Sequence, residues 1–307
     1  MWAYSLMCLI YGTTFLAIRV GDLAGMPPFL FAGARFFIAG VVTLSFVFLR
    51  NKGAIPRTKK AYLDLAKVGI FNTTLVFAIV YFVEQYVPSS YAALMGATMP
   101  FMVMLLGRVT QKQTITLLQF IGLGVGFIGV LAVAWPGIRA GVPHWVFNTL
   151  VLVVAQVAAA IGTLQSRKVL ADGMSPFVVN GFQVLFGGIG LFLIAGFTGG
   201  LSLRHVHEWG MGLWALTYLT VFGSIVASTI YFWLVQKSSA LLASTWTYVS
   251  PVIAVAVGYF WFHEPVYVLT IVGTVAILGG VLLLNLQAFR SLYLVRKKRS
   301  AAPEVSL

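Results

Sequence analysis

The chain has 307 residues, 60% of them hydrophobic and 9% charged, with a net charge of +13 and a mean hydropathy of +0.96. A water-soluble fold of this composition would lack the polar surface to cover itself, which excludes a soluble globular protein and leaves a polytopic membrane protein. The Lys and Arg residues are scattered between apolar stretches rather than grouped on one amphipathic face, so nucleic acid is not the expected partner.

Runs of about 17 to 25 apolar residues cross a bilayer as helices, and ten follow one another here, giving an all-α expectation. They cover 2–20, 28–49, 64–84, 88–106, 116–134, 145–166, 176–197, 211–235, 240–261 and 265–287. The first lacks the basic leader and small-residue cleavage site of a signal peptide, so it reads as a spanning helix. It holds the one cysteine, Cys8, read as a packing residue. The second carries Arg35 seven residues beyond Pro28, about 10 Å along a helix. Glu84 ends the third. Along the fourth, Ser89, Ala92, Ala93, Gly96 and Ala97 put small side chains on one face before Pro100, whose missing N–H predicts a kink. Gly122, Gly126 and Gly129 in the fifth read as a helix contact, within the chain or across a homodimer. The ninth has Ala240, Ala243 and Ser244, then Pro251 at the depth of Pro100, so Pro100 and Pro251 are the expected hinges.

Two halves of the chain repeat each other. Pro27, Pro28 and Phe29 with Gly33, Ala39 and Gly40 recur 148 positions later as Ser175, Pro176 and Phe177 with Gly181, Gly187 and Gly188. At an offset of 151, Gln85, Ala92, Pro100, Gly122, Gly129 and Val130 meet Gln236, Ala243, Pro251, Gly273, Gly280 and Val281. Each copy holds five spans, an odd number, so the second enters the bilayer inverted. The expected organisation is a first five-helix repeat at 1–137, a second, inverted one at 143–290, and a basic cytoplasmic tail at 291–307.

Positive charge sets the orientation. With the N-terminus inside, the cytoplasmic side receives Arg50, Lys52, Arg57, Lys59, Lys60, Lys67, Arg108, Lys112, Arg167, Lys168, Lys237, Arg290 and the run Arg296, Lys297, Lys298, Arg299. Only Arg19, Arg139 and Arg204 fall outside, and Arg35 lies within a span. A multi-pass protein of the inner (plasma) membrane, with both termini cytoplasmic, is expected; the last basic run rests on anionic lipid.

Inverted repeats suit alternating access around a central site. A receptor or scaffold finds no extramembrane domain to carry a signal. An enzyme finds no paired acids, and His205, His207 and Glu208 read as a solvated loop rather than a metal site, so none is expected. The chain contains no phosphate-binding Gly-x-x-x-x-Gly-Lys motif, and no cofactor is expected.

Polar groups at membrane depth need a partner or a wet cavity, which makes them the site candidates. Arg35 and Glu84 are expected to share a network that holds an external gate or meets charged groups of the substrate. Their counterparts in the second half are Gln183 and Val235, so the symmetry breaks there. Further lining candidates are Tyr11, Thr13, Asn72, Tyr81, Gln156, Asn180, Gln183, Trp246 and Tyr248. Glu84 is the one carboxylate placed to couple protons, at the edge of a span, which leaves antiport and facilitated diffusion both open.

Tyr11-Gly12-Thr13-Thr14-Phe15 with Arg19, Pro27-Pro28, Arg35-Phe36, Glu84-Gln85, Val87-Pro88-Ser89, Ala92-Ala93-Leu94 and Pro100 together resemble the EamA family of the drug/metabolite transporter superfamily. The resemblance covers nearly the whole chain. It implies a basket of helices one to four and six to nine around a central cavity, with five and ten peripheral. It also implies export or facilitated passage of small metabolites, commonly amino acids and related compounds or drugs; a proton-coupled exporter of drugs or cations is the alternative. Where the family often has Gly-Glu after the fourth and ninth helices, this chain has Lys112-Gln113 and His263-Glu264. The expected partners are the bilayer and a small-molecule substrate.

Overall fold

The computed structural model describes residues 2–50, 55–87, 89–111, 116–139, 144–237, 240–244, 246–247, 253, 256–257, 259–261, 266–280, 282–283 and 286. Among them no strand occurs. Seven helices are long and apolar enough to cross a membrane: α1 (Trp2–Leu23), α2 (Pro28–Arg50), α3 (Lys59–Val83), α4 (Tyr91–Thr110), α6 (Trp145–Ala171), α7 (Pro176–Phe197) and α8 (Trp209–Lys237). Between α4 and α6 lies α5 (Leu117–Arg139), and two shorter stretches, α9 (Ala240–Ser244) and α10 (Val268–Gly280), fall within the expected ninth and tenth spans. Tyr248, Pro251 and the basic tail lie outside the described residues.

Proline sets two boundaries. Pro28 and Pro176 stand at the starts of α2 and α7, where a missing N–H costs nothing because the first turn has no helical acceptor for it. Helix α3 starts five residues before the expected 64, because the Thr58 side chain accepts from the Ala61 N–H and caps a polar first turn ahead of the apolar run. Helix α6 continues to Ala171, past the expected 166, with Lys168 in a last turn whose free carbonyls favour a cation. Helix α4 is interrupted at Ala97 and Thr98, whose N–H groups bond only to Leu94 and Met95 three residues back. The break sits one turn before Pro100, which has no proton to give the Gly96 carbonyl.

Helices α2 and α7 run antiparallel at close range through small residues. Side chains are absent where the backbones meet: a methyl on Gly188 would lie 2.5 Å from the Phe37 nitrogen, and one on Gly40 would lie 2.7 Å from the Leu185 α-carbon. Further along, Gly33 faces the Phe192 ring and Gly181 faces Leu44. These contacts are reciprocal at the 148-residue offset: Gly33 meets the counterpart of Leu44, and Leu44 meets the counterpart of Gly33. Helices α5 and α10 cross in the same manner. Gly129 abuts the Gly273 carbonyl, and Gly280 abuts the Gly122 carbonyl and Gly126 backbone.

The two ends of the bundle are distinct. At one, the α1–α2 turn uses Gly25 at φ +79, a conformation costly for other residues, and a side chain there would strike the His205 carbonyl. The His207 N–H donates to the Ala24 carbonyl at 3.2 Å, so the α7–α8 loop sits on this turn. At the other end, the Gln165 amide donates to Asp64 at 3.1 Å and that of Gln236 to the Met174 carbonyl at 3.2 Å. Since α2 travels about 34 Å from its start at Pro28, the α2–α3 connection lies at the end opposite the α7–α8 loop.

Both α3 and α8 contain a π-helical segment, Ile70–Leu75 and Leu219–Ala227. A wider turn of this kind leaves backbone groups to be satisfied by side chains and gathers at functional sites. At the 151-residue offset the first segment falls within the second.

Candidate functional site: a central cavity

A cavity of about 120 Å³ opens among α1, α2, α3, α4, α6, α7 and α8. That is room for several waters or part of a small solute. Its polar lining comes from Tyr11, Thr14, Arg35, Asn72, Gln156, Gln183, Ser228, Tyr231 and Thr247; Phe15, Phe36, Phe77, Phe232 and Trp246 supply aromatic walls.

Arg35 is the charged member of the described lining and is 1% exposed. Its Nε donates to the Ser224 hydroxyl at 2.9 Å and one Nη to the Tyr81 hydroxyl at 3.2 Å. The guanidinium carbon lies 4.5 Å from the Phe36 ring centre and 5.3 Å from that of Phe77, so π-faces supply part of its stabilisation. Ser224 is offered by the π segment of α8, where its hydroxyl also donates to the Leu219 carbonyl. The Ser224 carbonyl in turn accepts from the Asn180 amide at 2.9 Å. Gly223 leaves the space: a methyl there would come within 2.7 Å of the guanidinium.

The sequence-derived candidates separate by position. Tyr11, Arg35, Asn72, Gln156, Gln183 and Trp246 line the cavity. The Tyr11 and Ser228 hydroxyls share a hydrogen bond at 3.0 Å, and the Tyr11 ring leans on Trp246 with centroids 4.2 Å apart. Tyr81 stands behind the lining as an acceptor for Arg35. Asn180 braces α8 through Ser224 and Thr229. Thr13 turns to Tyr218, 2.6 Å away, and to the α1 carbonyls of Leu9 and Ile10. Glu84 is buried one turn after Tyr81, and its backbone carbonyl accepts from Arg19 at 3.5 Å. Asp22 and Glu84 act electrostatically on Tyr81. Arg35 is hydrogen-bonded to the Ser224 and Tyr81 hydroxyls, and Glu84 acts on the same Tyr81. Pro100 lies at the break in α4; Tyr248 and Pro251 fall outside the described residues.

Sequence reasoning passed over Thr14, Ser224, Ser228, Tyr231 and Thr247. A signal existed for two of them: Thr220, Ser224 and Ser228 recur every fourth residue within an apolar span, a polar stripe on one helical face. Tyr231 is held by Thr163 of α6, hydroxyl to hydroxyl at 2.7 Å.

Apolar helices of membrane-spanning length packed around a partly polar cavity are the build of a multi-pass membrane protein. The EamA-like transporter family matches residues 1–135 and 147–286, and the chain belongs to that family. It is 30% identical over 252 residues to the Escherichia coli (strain K12) protein named uncharacterized inner membrane transporter YedA, covering 81% of this chain and 78% of that one. It is 28% identical over 264 residues to the uncharacterized transporter YetK of Bacillus subtilis (strain 168), covering 83% and 78%. One crystal structure shares the fold at a TM-score of 0.68 and 19% identity, over 94% of this chain and 97% of the other.

Proposed function

We propose that this protein is an alternating-access carrier that exports small metabolites, or lets them pass down their gradient, with amino acids and related compounds foremost and drugs as further cargo. It is built from two inverted five-helix repeats, 1–137 and 143–290, in the inner membrane with both termini in the cytoplasm. The observation that carries this reading is the pair of reciprocal helix contacts, α2 with α7 and α5 with α10, beside a central cavity. Contacts in which residue i meets j and j meets i belong to two-fold arrangements. The position of the α7–α8 loop, opposite the α2–α3 connection, supports the inversion, and the two segments matched by the family support the duplication. Two similar bundles can rock about a shared site, giving inward- and outward-open forms of similar energy.

Arg35, Tyr11, Asn72, Gln156, Gln183 and Trp246 are the residues assigned to the substrate, with Tyr81 and Asn180 as positioning residues. Pro100, with Pro251, is assigned to hinge motion. Purified protein in liposomes, loaded with a panel of amino acids and cationic drugs, tests the reading by saturable flux. Cysteine labelling at 55–58 and 202–206 tests the inversion: labelling from one compartment removes it.

A further inference from the structure

We propose that Asn72 and Gln183 bind an uncharged amide group of the solute, an N–H beside a C=O; this rests on the carrier reading above. The polar lining of the cavity divides into side chains already paired and side chains that are not. Tyr11 shares a hydrogen bond with Ser228 and Tyr231 with Thr163, while Thr14 and Thr247 donate to carbonyls three residues back. Arg35 is bonded to Ser224 and Tyr81. Three carboxamides are left, Asn72 on α3, Gln156 on α6 and Gln183 on α7, whose side chains make no hydrogen bond to a described residue. Gln156 and Gln183 are 6% and 5% exposed, and Gln183 Oε1 is buried without a hydrogen bond. A carboxamide held this dry is costly until a partner arrives.

Position makes that partner neutral. A methyl on Gly69 would lie 2.8 Å from the Gln183 carbonyl, so Gln183 stands level with Gly69, and Asn72 follows on α3 within one turn. Phe37 meets α7 at Gly188. Counting from that contact along the antiparallel helices, Arg35 and Gln183 lie on opposite sides of it, about 10 Å apart along the bundle. Glu84, the other buried charge among the described residues, is about 18 Å beyond Asn72 on α3, toward the same end as Arg35. The level of Asn72 and Gln183 is therefore the uncharged pole of the site. No Asp or Glu occurs in the described lining, so an ion seated there would have no counter-ion beside it. A carboxamide carries a donor and an acceptor side by side, and a half-turn exchanges them, so it bonds another amide in both directions. Phe77 and Trp246 wall the space for the rest of the solute.

Two uncharged probes of one shape test this: phenylpropionamide and benzylacetone, in which a methyl replaces the amide nitrogen. In detergent-solubilised wild-type protein the amide is expected to bind at least about tenfold tighter, since the ketone brings no N–H and leaves a buried acceptor unpaired. Gln183→Met, which keeps the length and removes the carboxamide, should erase most of that preference, and Asn72→Ser should erase part of it. Equal or tighter binding of benzylacetone, binding of neither probe at millimolar concentration, or a preference that survives both substitutions overturns the proposal. The wild-type comparison needs no variant to fold. Selective binding of the amide without flux into liposomes leaves the amide site standing and removes the carrier reading; saturable flux of both probes without preference does the reverse.

Discussion

The Nε of Arg35 on α2 donates to the Ser224 hydroxyl on α8 across 2.9 Å, joining residues 189 positions apart through the one π segment that Asn180 also holds. With Tyr81 completing the contact and the Phe36 and Phe77 rings beside it, the guanidinium is held by hydroxyls and π-faces. Each acceptor is worth about 1.5–3 kcal/mol when its partner is charged. Tyr81→Phe is therefore expected to lower the thermal midpoint of the detergent-solubilised protein, and Tyr81→Phe with Ser224→Ala should be non-additive because both act on one guanidinium. Additive losses would mean that the two hydroxyls serve other partners.

The α2–α7 seam tolerates no added methyl where backbones touch. Gly188→Ala forces the Phe37 backbone away and is expected to cost about 1–3 kcal/mol by overpacking. Gly196→Ala on the same helix meets nothing within 4 Å and should be neutral or gain about 0.5–1 kcal/mol of helix propensity. Thermal scans of the two variants side by side distinguish a seam from a general aversion to substitution.

Gly129 and Gly280 close one crossing from opposite sides, so either change to Val should part α5 from α10. Each single variant is expected to melt earlier than wild type, and the double variant little earlier than the singles, since the crossing is already open. Gly124→Ala, with open space at its α-carbon, is the control.

At Pro100 the missing N–H of α4 can be restored; Ala92, Gly96 and Met99 of the same helix line the cavity. Pro100→Ala returns an N–H to the Gly96 carbonyl and should raise stability slightly. If the break serves as a hinge, flux in liposomes falls several-fold while binding at the cavity is unchanged. Unaltered flux would make the break a packing feature.

Membrane class, the start of α2 at Pro28 and the limits of α7 at Pro176 and Phe197 follow from the sequence alone, because a bilayer imposes an apolar length and proline can open a helix but not continue one. The helix contact of Gly122, Gly126 and Gly129 was legible too, as small residues at helical spacing. Which polar residues face the cavity was decided by the tertiary structure. Gln156 and Gln183 face it, whereas Thr13 turns to Tyr218 and Asn180 to Ser224. Lipid is as apolar as a protein interior, so a spanning helix is mostly hydrophobic all round and its sequence marks the inward face only where polar residues line up, as at Thr220, Ser224 and Ser228. The meeting of Ser224 and Arg35 has the same origin: neither the π turn that presents Ser224 nor its approach to α2 exists until the helices have packed.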